Sequence, residues 1–235
     1  MYKILLLLSV VLLPAAGKAQ EPPTTPIQAA TPERYMVPDY ASIKQMTEDK
    51  NSLFYYPNIL AKYKNNDTTL SFREYRMLYY GYVFQNGYSR IPELTAEDDS
   101  IAAIFEKGML SQEDLQNMVR FGKTYLEKYP FDLRRLNLVY VAASECGDEV
   151  TANTYLHKVR MLALTILTTG NGLKEDTPFY VISETDENAL INILGYKPNG
   201  IQALTTTRYL TLEDNSDNVP GLYFDLKNVT AYSNN

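Results

Sequence analysis

The sequence has too few reactive side chains for most familiar catalytic sites. It contains one cysteine, one histidine and no tryptophan in 235 residues. The single cysteine, Cys146, excludes an internal disulfide and any multi-cysteine metal site. The single histidine, His157, lacks the partners that zinc sites and serine or cysteine hydrolases need. We therefore interpret Cys146 as a buried structural thiol and His157 as a helix-face side chain packed at an interface.

The sequence also lacks clusters of lysine and arginine. Its formal net charge is −6, with 28 acidic and 22 basic residues. Binding to nucleic acid or to an anionic membrane depends on clustered basic side chains that displace counterions. We therefore expect no nucleic-acid partner.

Only one long apolar run is present, and it lies at the amino terminus. Lys3, the apolar residues 4–13, Pro14 and the triplet Gly-Lys-Ala at 17–19 predict a signal peptide over residues 1–19. Its apolar core of about ten residues is shorter than the roughly 20 that a membrane span needs. Because no cysteine follows it, a lipid anchor has no acceptor. We expect a soluble, exported protein, periplasmic or extracellular, that is not a lipoprotein.

Composition then divides the remaining chain. Residues 20–38 contain five prolines and few large apolar side chains, which predicts a disordered, Pro-rich linker. Residues 39–228 are expected to form a single α+β domain, with a helical part over 39–169 and a sheet part over 172–228. Residues 229–235 are interpreted as a tail.

Helix-start signals recur through the helical part. A hydroxyl residue followed three residues later by an acid can cap two free amides of a helix amino terminus. The pattern occurs at Ser71–Glu74, Thr95–Asp98 and Ser111–Asp114. The first pair predicts a helix from Phe72 to about Gln85.

A weak period of 34 residues, the tetratricopeptide spacing, links two stretches of this part. Five apolar residues of the first stretch recur as apolar residues in the second. They are Ala102, Phe105, Met109, Met118 and Tyr125, matched by Leu136, Val139, Ala143, Ala152 and Val159. We expect tetratricopeptide-like helix pairs, too few to form a solenoid groove. The long helix that follows Asp148 is apolar on two faces, so we expect it to lie between helices and the sheet.

After Gly172 the apolar period shifts to two. The stretches FYVIS, IQALTTTRYLTLE and GLYFDL predict a small, mostly antiparallel sheet of about three strands, with a short helix at 187–194. The loop TTGNG, residues 168–172, contains glycines like a phosphate loop, but a helix precedes it and a strand follows. It is therefore predicted to turn a corner, with Gly170 as a left-handed helix cap.

Acidic side chains offer one route to catalysis. Glu184, Asp186 and Glu187 are close in sequence at a helix start, which leaves open a carboxylate-dependent hydrolase that acts on envelope or dietary polymers. Residues 212–218 have the composition of a calcium loop but not its spacing, which favours a turn. We assign no catalytic residue, no cofactor and no metal ligand from the sequence.

Tyrosine is the one residue type in excess, with 20 copies. Tyrosine suits interfaces because its ring buries area while its hydroxyl can hydrogen-bond. The stretch LYYGYVFQNGYS predicts a binding surface formed by Tyr79, Tyr80, Tyr82 and Tyr88. The favoured hypothesis is a binding or scaffolding module for a protein, peptide or glycan partner, with its oligomeric state left open.

Three stretches carry a resemblance to a known family. They are SLFYYPNILAKYKNNDTTLSFREYRMLYYGYVFQNGYS, TGNG and YFDL. With them, the chain from Tyr40 to Leu226 resembles the secreted proteins of Bacteroidota grouped as domain-of-unknown-function family 4919. The resemblance implies export from a Gram-negative bacterium of the gut type. It implies no activity and no catalytic residue.

Overall fold

A computed structural model describes residues 35–203 and 207–230, so the predicted signal peptide and most of the predicted linker lie outside the described residues. The described part contains eight helices of nine residues or more, one helix of four residues and four strands. The helices are α1 (Tyr40–Glu48), α2 (Tyr56–Lys64), α3 (Phe72–Gly81), α4 (Ala96–Phe105), α5 (Gln112–Lys128), α6 (Leu133–Glu145), α7 (Glu149–Leu167), α8 (Glu184–Ile193) and α9 (Lys227–Thr230). The strands are β1 (Phe179–Tyr180), β2 (Pro198–Ala203), β3 (Arg208–Leu212) and β4 (Gly221–Asp225).

Local capping explains where the helices begin. All three predicted hydroxyl–acid pairs form reciprocal capping boxes, at the starts of α3, α4 and α5. Asp132 and Asp148 cap α6 and α7 through single side-chain bonds. Helix α3 ends at Gly81, earlier than predicted, because a 3₁₀ turn over Tyr82–Phe84 follows it. Helix α8 starts at Glu184, three residues earlier than predicted, because Ser183 provides its cap.

The sheet has the order β1-β4-β3-β2. Strands β2, β3 and β4 pair antiparallel, whereas β1 joins β4 in parallel. The run IQALTTTRYLTLE, predicted as one strand, contains β2 and β3, which pair with Ala203 opposite Arg208. The α+β fold class is therefore confirmed, with four strands where the sequence predicted about three.

One continuous hydrophobic core joins the helices to the sheet. Helix α7 packs against α6 and α3, and it meets the sheet at β1. The prediction that α7 is sandwiched by the sheet was therefore wrong for most of its length, and Leu164 on its second face is 43% exposed. Among residues 35–203 and 207–230, no helix has the length and apolar character to cross a bilayer.

Two pairs of residues linked by the 34-residue period are buried in the second stretch and exposed in the first. Val139 and Ala143 are fully buried, whereas their counterparts Phe105 and Met109 are 37% and 90% exposed. Helices α4 to α7 do contact one another in sequence order. Tetratricopeptide-like packing remains a prediction.

The TTGNG loop forms a turn at the end of α7. The backbone N–H groups of Asn171 and Gly172 both donate to the Thr177 carbonyl, at 3.2 and 2.9 Å. Gly172 has φ +66, but Gly170 is not left-handed, so its predicted role as the helix cap was wrong. A Cβ on Gly170 would lie 2.2 Å from the Pro178 carbonyl oxygen, so glycine is needed there for close backbone approach.

Candidate functional site

The four tyrosines predicted to form a binding surface lie mostly inside the protein. Tyr79 and Tyr80 are 0% exposed, and Tyr82 and Tyr88 are half-buried. A partner cannot reach the first two without opening the core. The prediction of an exposed tyrosine surface is therefore corrected for Tyr79 and Tyr80.

Their hydroxyls instead connect the helical part to the sheet part. Tyr79 donates to Asp186 at 2.7 Å, Tyr80 to the Tyr180 carbonyl at 3.0 Å and Tyr88 to the Ile182 carbonyl at 2.6 Å. These bonds join α3 and the turn after it to the segment from β1 to α8. The tyrosine-rich stretch thus serves packing, because each buried hydroxyl finds a partner.

The three acids of the hydrolase hypothesis also have structural partners. Asp186 is fully buried, and it accepts hydrogen bonds from the Tyr79 hydroxyl and, at 3.1 Å, from the Leu133 N–H at the start of α6. Burial, aided by repulsion from Asp132, raises the pKa of Asp186 to about 7. Asp186 therefore holds α3, α6 and α8 together.

Arg208 pairs with the other two acids, 3.0 Å from Glu184 and 2.9 Å from Glu187. Burial raises the pKa of Glu187 to about 8, although Arg208 opposes this shift. The cavity beside Asp186 has a volume of about 20 Å³, room for about one water molecule. Asp186 and Glu187 are 0% exposed, so a polymer cannot reach these two acids in this conformation, and the hydrolase hypothesis is left with Glu184 alone at the surface.

The remaining sequence candidates are also embedded in local structure. His157 packs edge-on to Tyr75, with ring centroids 5.9 Å apart, and its buried Nε2 has no hydrogen-bond partner. Cys146 is a free, half-buried thiol. In residues 212–218 the Asn215 side chain bonds the carbonyls of Glu213 and Val219, which closes a turn. Across the part of the chain that the structure describes, no group of three His, Cys, Asp or Glu side chains could hold a metal ion.

A larger cavity lies among the helices, where the sequence predicted no site. Its volume is about 310 Å³, and it is open to solvent. The end of α2, the second half of α5, the start of α6 and the first half of α7 form its walls. Three lysines line it, Lys64, Lys123 and Lys158, with Glu127 as the one acid among its lining residues. We call this space the lysine cavity.

Helical spacing brings the polar groups of the lysine cavity together. Thr151, Thr154, Tyr155 and Lys158 occupy positions i, i+3, i+4 and i+7 of α7, which lie on one face of a helix. Helix α2 adds Tyr63, whose hydroxyl donates to the Pro130 carbonyl at 2.9 Å and so fixes the ring. The Tyr63 ring is therefore held in place opposite α7.

Lys158 is the most unusual group in the lysine cavity. The residue is 7% exposed, and its Nζ lies 4.4 Å from the ring centroid of Tyr63 and 5.2 Å from that of Tyr155. It forms no ion pair with any carboxylate of the described residues. Burial lowers the pKa of Lys158 to about 8, Glu127 partly opposes this shift, and repulsion from Lys123 adds to it.

The other two lysines are better solvated or better partnered. Lys123 Nζ donates to the Thr151 hydroxyl at 3.0 Å, and Lys64 pairs with Glu127 at 3.3 Å. Three lysines against one glutamate make this cavity locally positive in a chain of net charge −6. Low-dielectric walls strengthen the field of such a group of charges, so the lysine cavity is suited to an anionic group.

Sequence reasoning missed this site because the helix after Asp148 was interpreted only through its two apolar faces. One signal was available, since a lysine three residues after a tyrosine and seven after a threonine shares their helix face. The contributions of α2 and α5 could not be inferred, because they depend on tertiary packing.

Comparison with known proteins identifies a family for the chain but no activity. No curated protein and no solved structure matches the chain. The family model described as "Domain of unknown function (DUF4919)" matches residues 41–234. That match covers most of the chain and includes both α2 and α7. The chain therefore belongs to the DUF4919 family.

Proposed function

We propose that the protein is an exported binding protein that takes a small anionic ligand into the lysine cavity. The observation that carries this proposal is Lys158, a buried amine without a carboxylate partner that faces an open space of about 310 Å³. Burying a cation without a partner costs free energy. A bound anion would recover part of that cost.

The lining suggests the chemical class of the ligand. Ligand pockets commonly have volumes of about 300–1,000 Å³, so the lysine cavity is at the small end and fits a ligand the size of a monosaccharide. Hydroxyl and amide groups of Thr151, Thr154 and Asn66 stand beside the lysines. This combination favours a hydroxylated anion, and an acidic sugar such as a uronic acid meets both requirements.

The proposal keeps the binding role inferred from the sequence and moves its location. The proposed binding site contains Tyr63 and Tyr155, whose rings flank Lys158. It does not contain the four tyrosines predicted from the sequence, at positions 79, 80, 82 and 88. Export rests on the predicted signal peptide at residues 1–19, and an acidic glycan unit is a partner that an exported protein can meet.

Calorimetric titration with glucuronate tests the proposal, with glucose as the matched neutral sugar. We expect glucuronate to bind and glucose not to bind. Lys158→Met should weaken glucuronate binding by at least about tenfold, equal to about 1.4 kcal/mol. Lys50→Met, which removes an exposed lysine outside the cavity, is the control and should bind like the parent protein.

Two results would refute the proposal. One is the absence of glucuronate binding to a folded parent protein, together with no binding of inorganic phosphate. The other is equal loss of affinity in Lys158→Met and Lys50→Met, which would show that only net charge matters.

A further inference from the structure

The environment of Lys158 supports more than electrostatic attraction. Its Nζ is held between the Tyr63 and Tyr155 rings at the wall of an open cavity. No carboxylate of the described residues lies within ion-pair distance of it. An amine that is held between two aromatic rings, has no carboxylate partner and faces an open cavity has the setting of a nucleophilic lysine.

The two neighbouring charges act in opposite directions on the Lys158 amine, since Glu127 favours its charged form and Lys123 disfavours it. Lys123 lines the same cavity and disfavours a second positive charge there, as burial also does. Activation of a lysine by an apolar pocket or by an adjacent cation is a known route to imine chemistry. With a pKa of about 8, far more of the Lys158 amine is neutral near neutral pH than for an exposed lysine.

We propose that Lys158 forms a reversible imine with a small aldehyde or ketone that also carries an anionic group, while Lys123 and Lys64 hold the anion. This inference rests on the proposed function, since it assigns the anion to the same cavity. It adds a covalent step that simple binding does not need.

The step balances without an oxidant or a reductant. The lone pair of Lys158 Nζ attacks the carbonyl carbon, and a carbon–nitrogen bond forms. The carbonyl oxygen then leaves as water, with both protons from the amine. The product is a carbon–nitrogen double bond, and water reverses the reaction.

Glyoxylate is the probe, because it joins an aldehyde to a carboxylate in the smallest possible molecule. The full-length protein is incubated with glyoxylate and cyanoborohydride, which delivers hydride to the imine carbon and leaves a carboxymethyl group on the nitrogen. Peptide mapping then compares the rate of modification at each lysine. We expect Lys158 to react at least about tenfold faster than exposed Lys50.

Two matched comparisons separate the contributions. Acetaldehyde, which lacks the carboxylate, should show a smaller preference for Lys158 over Lys50, because the lowered pKa of the amine favours both aldehydes and the anion site favours only glyoxylate. Lys158→Arg keeps a positive charge but cannot form an imine, so it should lose the fast site. If Lys158→Arg does not fold, the contrast between glyoxylate and acetaldehyde in the parent protein still decides the question.

The outcomes distinguish this inference from the proposed function. Modification of Lys158 no faster than that of Lys50 overturns the imine, and glucuronate binding in the same sample would leave the anion site standing. Fast modification of Lys158 without glucuronate binding supports the imine and overturns the acidic-sugar proposal. Failure of both overturns both.

Discussion

The protein buries charge in two regions that differ in their partners. Around α8, Asp186 and Glu187 are 0% exposed and contact Tyr79, the Leu133 N–H and Arg208. On α7, Lys158 is 7% exposed, and its amine contacts two tyrosine rings and forms no ion pair with a carboxylate of the described residues. The first region adjoins a cavity that holds one water at most, and the second faces a cavity of about 310 Å³.

This contrast separates charge that supports the fold from charge available to a ligand. Both regions have strongly shifted pKa values, so a shift alone does not identify a site. The two regions differ in whether the charged group has a partner of opposite charge or a hydrogen bond, and in whether a ligand can reach it. Asp186 accepts two buried hydrogen bonds, Glu187 forms an ion pair with Arg208, and neither acid is exposed to a ligand. The lysine has access and no anionic partner.

Removal of Asp186 should produce the largest effect on stability. Asp186→Ala leaves the Tyr79 hydroxyl and the Leu133 N–H without their acceptor, and we expect it to lower the free energy of unfolding by about 3 kcal/mol. Denaturant unfolding measures the change. Asp186→Asn is the control, because its amide oxygen still accepts a bond and should preserve most of the stability. If Asp186→Ala were as stable as the parent protein, Asp186 would not stabilise the fold.

The two regions should also differ in pH dependence. The pKa of Asp186 is raised to about 7 in the folded state, from about 3.9 when unfolded. The native protein therefore holds a proton that the unfolded chain has lost between these values. The contribution of Asp186 to stability is full below about pH 4 and falls as pH rises towards 7. Unfolding curves of Asp186→Asn should lack this fall relative to the parent.

Lys158 should give the opposite slope at higher pH. Its folded pKa of about 8 lies below the unfolded value of about 10.4. Between these values the unfolded chain binds more protons, so stability should rise with pH in that window. A flat difference between the parent and Lys158→Met from pH 8 to 10 would contradict the assigned environment.

Replacement of Lys158 by an apolar residue should stabilise the protein at neutral pH. Lys158→Met removes a buried, unpaired charge, so we expect a gain of about 1 kcal/mol in the free energy of unfolding. Together with lost ligand binding, this is the sign of a residue kept for function at a cost to stability. Chemical denaturation at pH 7 measures it, and a loss of stability would place Lys158 among the structural residues.

A smaller effect is expected at the tyrosines that join the two parts of the fold. Tyr88→Phe removes one hydrogen bond to the Ile182 carbonyl, which should cost about 1 kcal/mol. Tyr35→Phe, close to the start of the described chain, is the comparison and should cost less. If Tyr88→Phe leaves stability unchanged but abolishes binding of glucuronate, the ligand surface lies at the tyrosine-rich stretch instead.

The sequence predicted local features better than the site. Ser71, Thr95 and Ser111 identified three helix starts correctly, because a capping box depends on residues only three apart. Gly170 was misassigned because its need for glycine comes from Pro178, which approaches it only in the folded chain. Tyrosine richness was taken for a surface, although nothing local distinguishes a buried tyrosine from an exposed one.

The lysine cavity depends on contacts between residues far apart in sequence. Tyr63 and Lys158 are separated by more than ninety positions, and their contact requires α2 and α7 to meet beside α5. Periodicity could place Lys158 beside Tyr155 on α7. It could not supply the second ring, the neighbouring lysine or the space in front of them.

The pKa of Lys158, followed by NMR of the lysine side-chain carbon next to Nζ during a pH titration, tests the account most directly. We predict one lysine with a pKa of about 8, absent from Lys158→Met, and a rise in that pKa when glucuronate is added. An ordinary lysine pKa at this position, unchanged by glucuronate, would contradict the account.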